Sequence, residues 1–310
     1  MKYHAGLTST AALFAAVFSL AAFSITPAQA QSKHYNLSVN FGDNADSCAD
    51  LKVKTNGASS QASEKFTLQG VSVQVDGGSR GAIRVRGADR ADYSVEACKL
   101  AVAGDSATAA QMVAGISVNR SAWRVETHGP AVSTGDGDWQ VYLIVHAPRN
   151  GSVELTTVNG PIEVRDLTGT VKAKATNGPL SIQDCTGTVD AQTTNGPISF
   201  SGNGGDVKLS AINGPLSVKL SGDVWNGTRL DASTMNGPVS LTAPSTFRSG
   251  LRVEGNQEAP FSCQAEMCRN AVTDATSERR TMQLNGGTDT VRVSTGNGPI
   301  SVKSSIGKVI

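Results

Sequence analysis

The sequence predicts an all-β fold: a right-handed parallel β-solenoid, or β-helix, with coils of about 18 residues, preceded by an irregular β-rich N-terminal cap. Three observations predict it. The tripeptide Asn-Gly-Pro occurs six times, and the first four copies lie 18 residues apart. Around each copy apolar and polar residues alternate with period two, the pattern of half-buried strands rather than helices. The composition, 33 glycines with 5% aromatic and 17% charged residues in a chain of 310, describes many turns and small core side chains.

The copies are Asn159-Gly160-Pro161, Asn177-Gly178-Pro179, Asn195-Gly196-Pro197, Asn213-Gly214-Pro215, Asn236-Gly237-Pro238 and Asn297-Gly298-Pro299. Each is read as the corner between two short strands. In register, Val153, Val171, Val189, Val207 and Leu230 form one inward column, and Ile162, Leu180, Ile198, Leu216 and Val239 form another. A third runs through Val164, Ile182, Phe200, Val218 and Leu241. Gly tolerates the backbone angles of a tight corner, and Pro fixes the start of the next strand where no ladder donor is needed. Asn suits the turn, and its stacked amides are placed to hydrogen-bond as a ladder. One coil cannot bury its own apolar face, so stacking is what makes the repeat stable.

The domain division follows the repeats: residues 1–30 a signal peptide, 31–148 a capping region, 149–303 the solenoid and 304–310 a tail. Residues 243–287 are an irregular insertion in the solenoid. The signal reading rests on Lys2, the apolar stretch from Ala11 to Phe23 and the small-residue exit Ala28-Gln29-Ala30. No later segment approaches the ~20 apolar residues of a membrane span. The cap shows strand-like alternation at Val71–Val75, Ile83–Val85, Tyr93–Val95, Ile116–Val118, Trp123–Val125 and Trp139–Val145, with a helix near Ser106–Ala114.

Export places the five cysteines in an oxidising compartment. Cys263 and Cys268 are close enough in sequence to staple a local loop, and Cys48 with Cys98 would tie the N-terminal region together. Cys185 is left over and shares a column with Leu167, so it reads as a buried hydrophobe.

A formal net charge of +1 without a basic run gives no footprint for nucleic acid. His34, His128 and His146 are scattered, and Asp43-Asn44-Ala45-Asp46 lacks the spacing of an EF-hand loop, so no metal and no cofactor is expected. Five extra residues before Asn236 predict a loop around Val224–Arg229, where Trp225 either stands exposed, as suits a sugar or protein partner, or packs over a coil edge. The competing reading is a carbohydrate-active β-helix enzyme, a lyase or hydrolase, using the neighbouring Asp166 and Asp184 near Arg165 and Lys219. The short uniform turns argue against the deep cleft such an enzyme needs.

The strand ending at Ala147-Pro148, the tandem Asn-Gly-Pro-Ile and Asn-Gly-Pro-Leu units, and the Thr168-Gly169 and Thr186-Gly187 turns resemble the bacterial putative adhesin family, β-strand-repeat domains of unknown function. The resemblance covers about residues 139–303. It implies a parallel β-helical fold and an envelope or extracellular location, and it carries no catalytic motif. The resulting expectation is a non-enzymatic, exported protein, periplasmic, surface-bound or secreted. It would bind or scaffold a glycan or protein at the envelope, or associate with itself.

Overall fold

The computed structural model describes residues 34–40, 42, 45–132 and 137–305. The expected signal peptide, Asp43, Asn44 and the tail beyond Ser305 lie outside the described residues. Among the described residues the fold is all-β, with one α-helix and two short 3-10 turns.

The N-terminal region supplies β1 (Leu37–Asn40), β2 (Lys52–Thr55), β3 (Ala58–Leu68), β4 (Ser72–Asp76), β5 (Gly81–Ala88), β6 (Tyr93–Ala103), α1 (Ser106–Ala114), β7 (Ser117–Arg120), β8 (Arg124–His128) and β9 (Gly137–Pro148). Helix α1 occupies the expected span because Asp105 caps it, accepting from the Thr108 amide at 2.8 Å, and Ala109 and Val113 are buried beneath it. Alternation located β4 to β9; β1 and β2, short alternating runs at Leu37–Asn40 and Lys52–Thr55, were passed over, and β3 opens on the polar stretch Ala58-Ser-Ser-Gln-Ala-Ser, which carries no period-two signal.

The repeats supply strands in pairs, one before and one after each corner. They are β10 (Ser152–Asn159) and β11 (Ile162–Arg165), β12 (Thr170–Asn177) and β13 (Leu180–Gln183), and β14 (Thr188–Asn195) and β15 (Ile198–Gly202). After them come β16 (Gly204–Asn213) and β17 (Leu216–Leu220), then β18 (Asn226–Asn236) and β19 (Val239–Pro244). The last part of the chain adds β20 (Gly250–Asn256), β21 (Phe261–Cys263), β22 (Val272–Ala275), β23 (Arg279–Leu284), β24 (Asp289–Asn297) and β25 (Ile300–Ser305).

The first strand of every pair joins a 12-stranded sheet and the second an 11-stranded sheet. Successive repeats pair in parallel at the register the sequence implies, Val153 with Val171, Val189 and Val207 in the first sheet, Ile162 with Leu180 and Ile198 in the second. Inward side chains from both sheets merge in one buried cluster, which holds all three predicted columns. On the outer side of the second sheet, β1 and β2 cover a smaller cluster of Leu37, Cys98, Leu100, Tyr142 and Ile144. The sheets are mixed rather than wholly parallel. Antiparallel β3, β6 and β7 extend both sheets at one end, and antiparallel β22 and β23 extend the first sheet at the other, where the second sheet ends on the short parallel strand β21.

Spatial order departs from chain order at both ends. In the first sheet the order runs β18, β24, β20, so the Asn297 unit is laid between the Asn236 unit and a turn of chain formed earlier from β20 and β21. Likewise β4 and β5 lie between β8 with β9 on one side and β10 with β11 on the other. The insertion at 243–287 thus contributes β20 and β21 to the same two sheets.

Two corrections concern the extra residues before Asn236. They are absorbed by a register shift between Gly204 and Asp206 opposite Asn226 and Arg229, together with a bend at Gly222–Val224. Trp225 is buried, 6% exposed, with its ring 6.0 Å from Phe200 and its indole N–H donating to the Gly205 carbonyl at 3.3 Å. A large apolar ring gains more from packing beside Phe200 than from water, so it turns inward and offers little face to a partner.

Candidate binding surface

The corner geometry follows from close stacking of identical backbones. A Cβ built on Gly178 would lie 2.0 Å from the Gly160 carbonyl oxygen, so no side chain fits between successive corners. This tight stack brings the asparagines into hydrogen-bonding range. Asn177 Nδ2 donates to Asn159 Oδ1, Asn195 to Asn177 and Asn213 to Asn195, each at 2.9 Å; Asn236 donates to Asn213 at 3.0 Å and Asn297 to Asn236 at 2.9 Å. Asn159 starts the rank by donating to the Ser79 carbonyl. An amide carries two N–H donors and an acceptor oxygen with two lone pairs. The ladder uses one donor and one acceptor at each internal rung, and the remaining pair faces solvent on exposed side chains. At its N-terminal end the rank meets a hollow of about 420 Å³ lined by Arg80, Gln140, Tyr142 and the Asn159-Gly160-Pro161 corner. Tyr142 hydrogen-bonds Gln140 at 3.0 Å, and burial pushes its phenol up to about 12.

The outer face of the first sheet carries a row of alternating charge: Glu154, Lys172, Asp190, Lys208, Asp231 and Arg292 are successive register partners. Gln74 continues it and donates to Glu154 at 2.9 Å. On the same face the residues preceding the asparagines include exposed Val158 and Ile212, both 43% accessible, and Met235 at 58%. The outer face of the second sheet presents Ser181, Ser199, Ser217, Ser240 and Ser301 in register. That serine rank starts at Glu163, which binds the buried Arg84 at 2.9 Å; Arg84 also donates to the Ala45 carbonyl at 2.8 Å and so ties the N-terminal segment to the sheet.

Among the residues of the enzyme reading, Asp166 and Asp184 do occupy neighbouring turns, both with left-handed backbones at φ 60° and 51°. Their charges contribute to the state of Cys185: burial first, then these carboxylates, push the thiol up to about 11. Arg165 pairs with Glu163, and Lys219 stands three rungs from Arg165 in the same outward column. The arrangement sets the two carboxylates on a corner rather than across a cleft.

Both disulfides form, Cys48 with Cys98 and Cys263 with Cys268, and Cys185 is a buried free thiol. Cys98 lies on β6, and its partner anchors the 3-10 turn at Cys48–Asp50. No helix among the described residues is long and apolar enough to cross a membrane.

No family model and no curated protein matches the chain. Among solved structures, it is similar to a putative adhesin from Bacteroides fragilis NCTC 9343, at 12% identity and a TM-score of 0.39, over 79% of this chain and 97% of that one. It is also similar to a putative cell adhesion protein from Clostridium sporogenes ATCC 15579, at 8% identity and a TM-score of 0.30, over 79% of this chain and all of the other. A third match is a putative lipid binding protein from Parabacteroides distasonis ATCC 8503, at 10% identity and a TM-score of 0.33, over 81% of this chain and 98% of that one.

Proposed function

We propose that this protein is an exported, non-enzymatic right-handed β-solenoid of the cell envelope or extracellular space. It acts as an adhesin-like binding or scaffold protein through its asparagine rank. Residues 31–148 cap the solenoid of residues 149–303. Parallel crossovers between strands of one sheet are right-handed in nearly all proteins, which supports the hand.

The observation that carries the reading is the exposed amide ladder from Asn159 to Asn297, with a spare donor and acceptor at its internal rungs. Rungs spaced at about 4.8 Å repeat the same polar pair along a straight line. An extended, hydroxyl-rich glycan offers matching donors and acceptors at every unit. A compact metabolite does not.

The test combines envelope fractionation with a panel of neutral and acidic polysaccharides. The mature protein is expected in the periplasm, at the surface or in the medium, retaining an extended glycan whose footprint protects the Asn-Gly-Pro corners. The same mixtures should release no new reducing ends or unsaturated products. Retention of a protein instead, or protection confined to another face, would overturn the glycan reading.

A further inference from the structure

The alternating row on the first sheet has a property that intrachain pairing does not require. Between Gln74 on one side and Arg252 on the other it holds six residues of alternating sign, Glu154, Lys172, Asp190, Lys208, Asp231 and Arg292, and reversal of this stretch sets Gln74 against Arg252. An even alternating row is complementary to its own reversal. A second copy turned by a two-fold axis parallel to the strands, passing between Asp190 and Lys208, sets Glu154 against Arg292, Lys172 against Asp231 and Asp190 against Lys208. Each of the six charges then meets its opposite. A two-fold along the coil axis would oppose like charges throughout, so the row selects one geometry.

We infer that the outer face of the first sheet docks on the same face of a second copy, antiparallel, through this charged row. The flanking ranks permit it. On one side Thr156, Lys174, Gln192, Ser210, Ser233 and Ser294 would face their own reversal, with Lys174 against Ser233; beyond these six rungs Asp76 would face Glu254, whose charge Arg252 and Arg279 already pair. One rank further, exposed Ile212 and Met235 come against Thr194 and Thr176 of the partner copy, which removes apolar surface from water. Six rungs at about 4.8 Å and the seven residues of each strand before its asparagine at about 3.3 Å give on the order of 650 Å² per copy. That is the size of a specific interface. The asparagine rank lies at the corner, outside the docked face, so the dimer neither needs nor blocks the glycan reading. A closed two-fold contact of this kind ends at a dimer.

Exposed charge pairs are weakened by salt, so the dimer is expected at low ionic strength and high micromolar concentration, with affinity falling at least tenfold in about 1 M salt. Asp190→Lys alone and Lys208→Asp alone each oppose like charges at the centre and should be monomeric. Mixing the two restores both central pairs, and a heterodimer should form. The double variant D190K/K208D keeps the complementarity and should dimerise by itself, which separates loss of docking from loss of folding. A zero-length carbodiimide cross-link between Lys172 and Asp231 is the geometric readout. Within one chain these residues are three rungs, about 14 Å, apart, whereas across the dimer they face each other. Wild-type protein that sediments as a monomer at low salt, or single variants that fail to recover on mixing, would overturn the proposal.

Discussion

Asn177 donates to Asn159 across 18 residues of sequence, and Asn297 makes the same contact to Asn236 across 61. The ladder therefore follows position in the stack and is indifferent to the chain between rungs. Asn195 sits in its middle, donating to Asn177 and accepting from Asn213. Asn195→Ala removes both bonds. At about 0.5–1.5 kcal/mol each it should cost roughly 1–3 kcal/mol, read as a lower midpoint in urea with an unchanged slope.

Gly178→Ala is expected to be more severe. The new methyl would lie 2.0 Å from the Gly160 carbonyl, and backbone cannot yield there without separating two coils. A loss of about 3 kcal/mol or more is expected by chemical denaturation.

Trp225→Ala should act through the core alone. Its ring fills space beside Phe200, and truncation should cost about 3–5 kcal/mol in thermal or urea unfolding. Partner binding measured well below the unfolding temperature should be unchanged.

The two disulfides should differ in worth. Cys48–Cys98 closes 50 residues and Cys263–Cys268 only 5. In the chain-entropy account these correspond to roughly 4 and 2 kcal/mol. The Cys48→Ala/Cys98→Ala variant should therefore melt at a lower temperature than Cys263→Ala/Cys268→Ala, each compared with the oxidised wild type.

Cys185 gives a pH signature. Burial raises its thiol to about 11, so the folded state holds this proton more tightly than the unfolded chain does. The stabilisation is complete below the unfolded value near 9 and is lost as pH climbs from there towards 11. The loss attributable to this one group is roughly 2–3 kcal/mol. Cys185→Ala should flatten that part of the stability-against-pH curve.

The asparagine corners, the three inward columns and the 18-residue register were legible because each repeat poses one steric problem, and the solution is written in one tripeptide. Helix α1 was legible for a local reason as well, since an aspartate cap and a short Ala-rich run suffice. The fate of Trp225 was not legible, because a local insertion has no partner in the pattern to say whether it points in or out. The room beside Phe200 decides it.

By itself, then, the sequence determined what is local or periodic: the alternation that makes strands, the glycines that let corners stack, and the pairing partners within the regular repeats. Tertiary structure alone decided the strand order at the sheet ends, where the Asn297 unit lies between the Asn236 unit and β20 with β21, and β4 with β5 lies inside a later pair. It also decided that Arg84 would reach Glu163 and the N-terminal segment. The physical reason is that a repeating ladder accepts any strand of the right register at any open edge. Which coil fills which gap depends on covering the last exposed edges of the finished sheets, a condition that exists only once the sheets have formed.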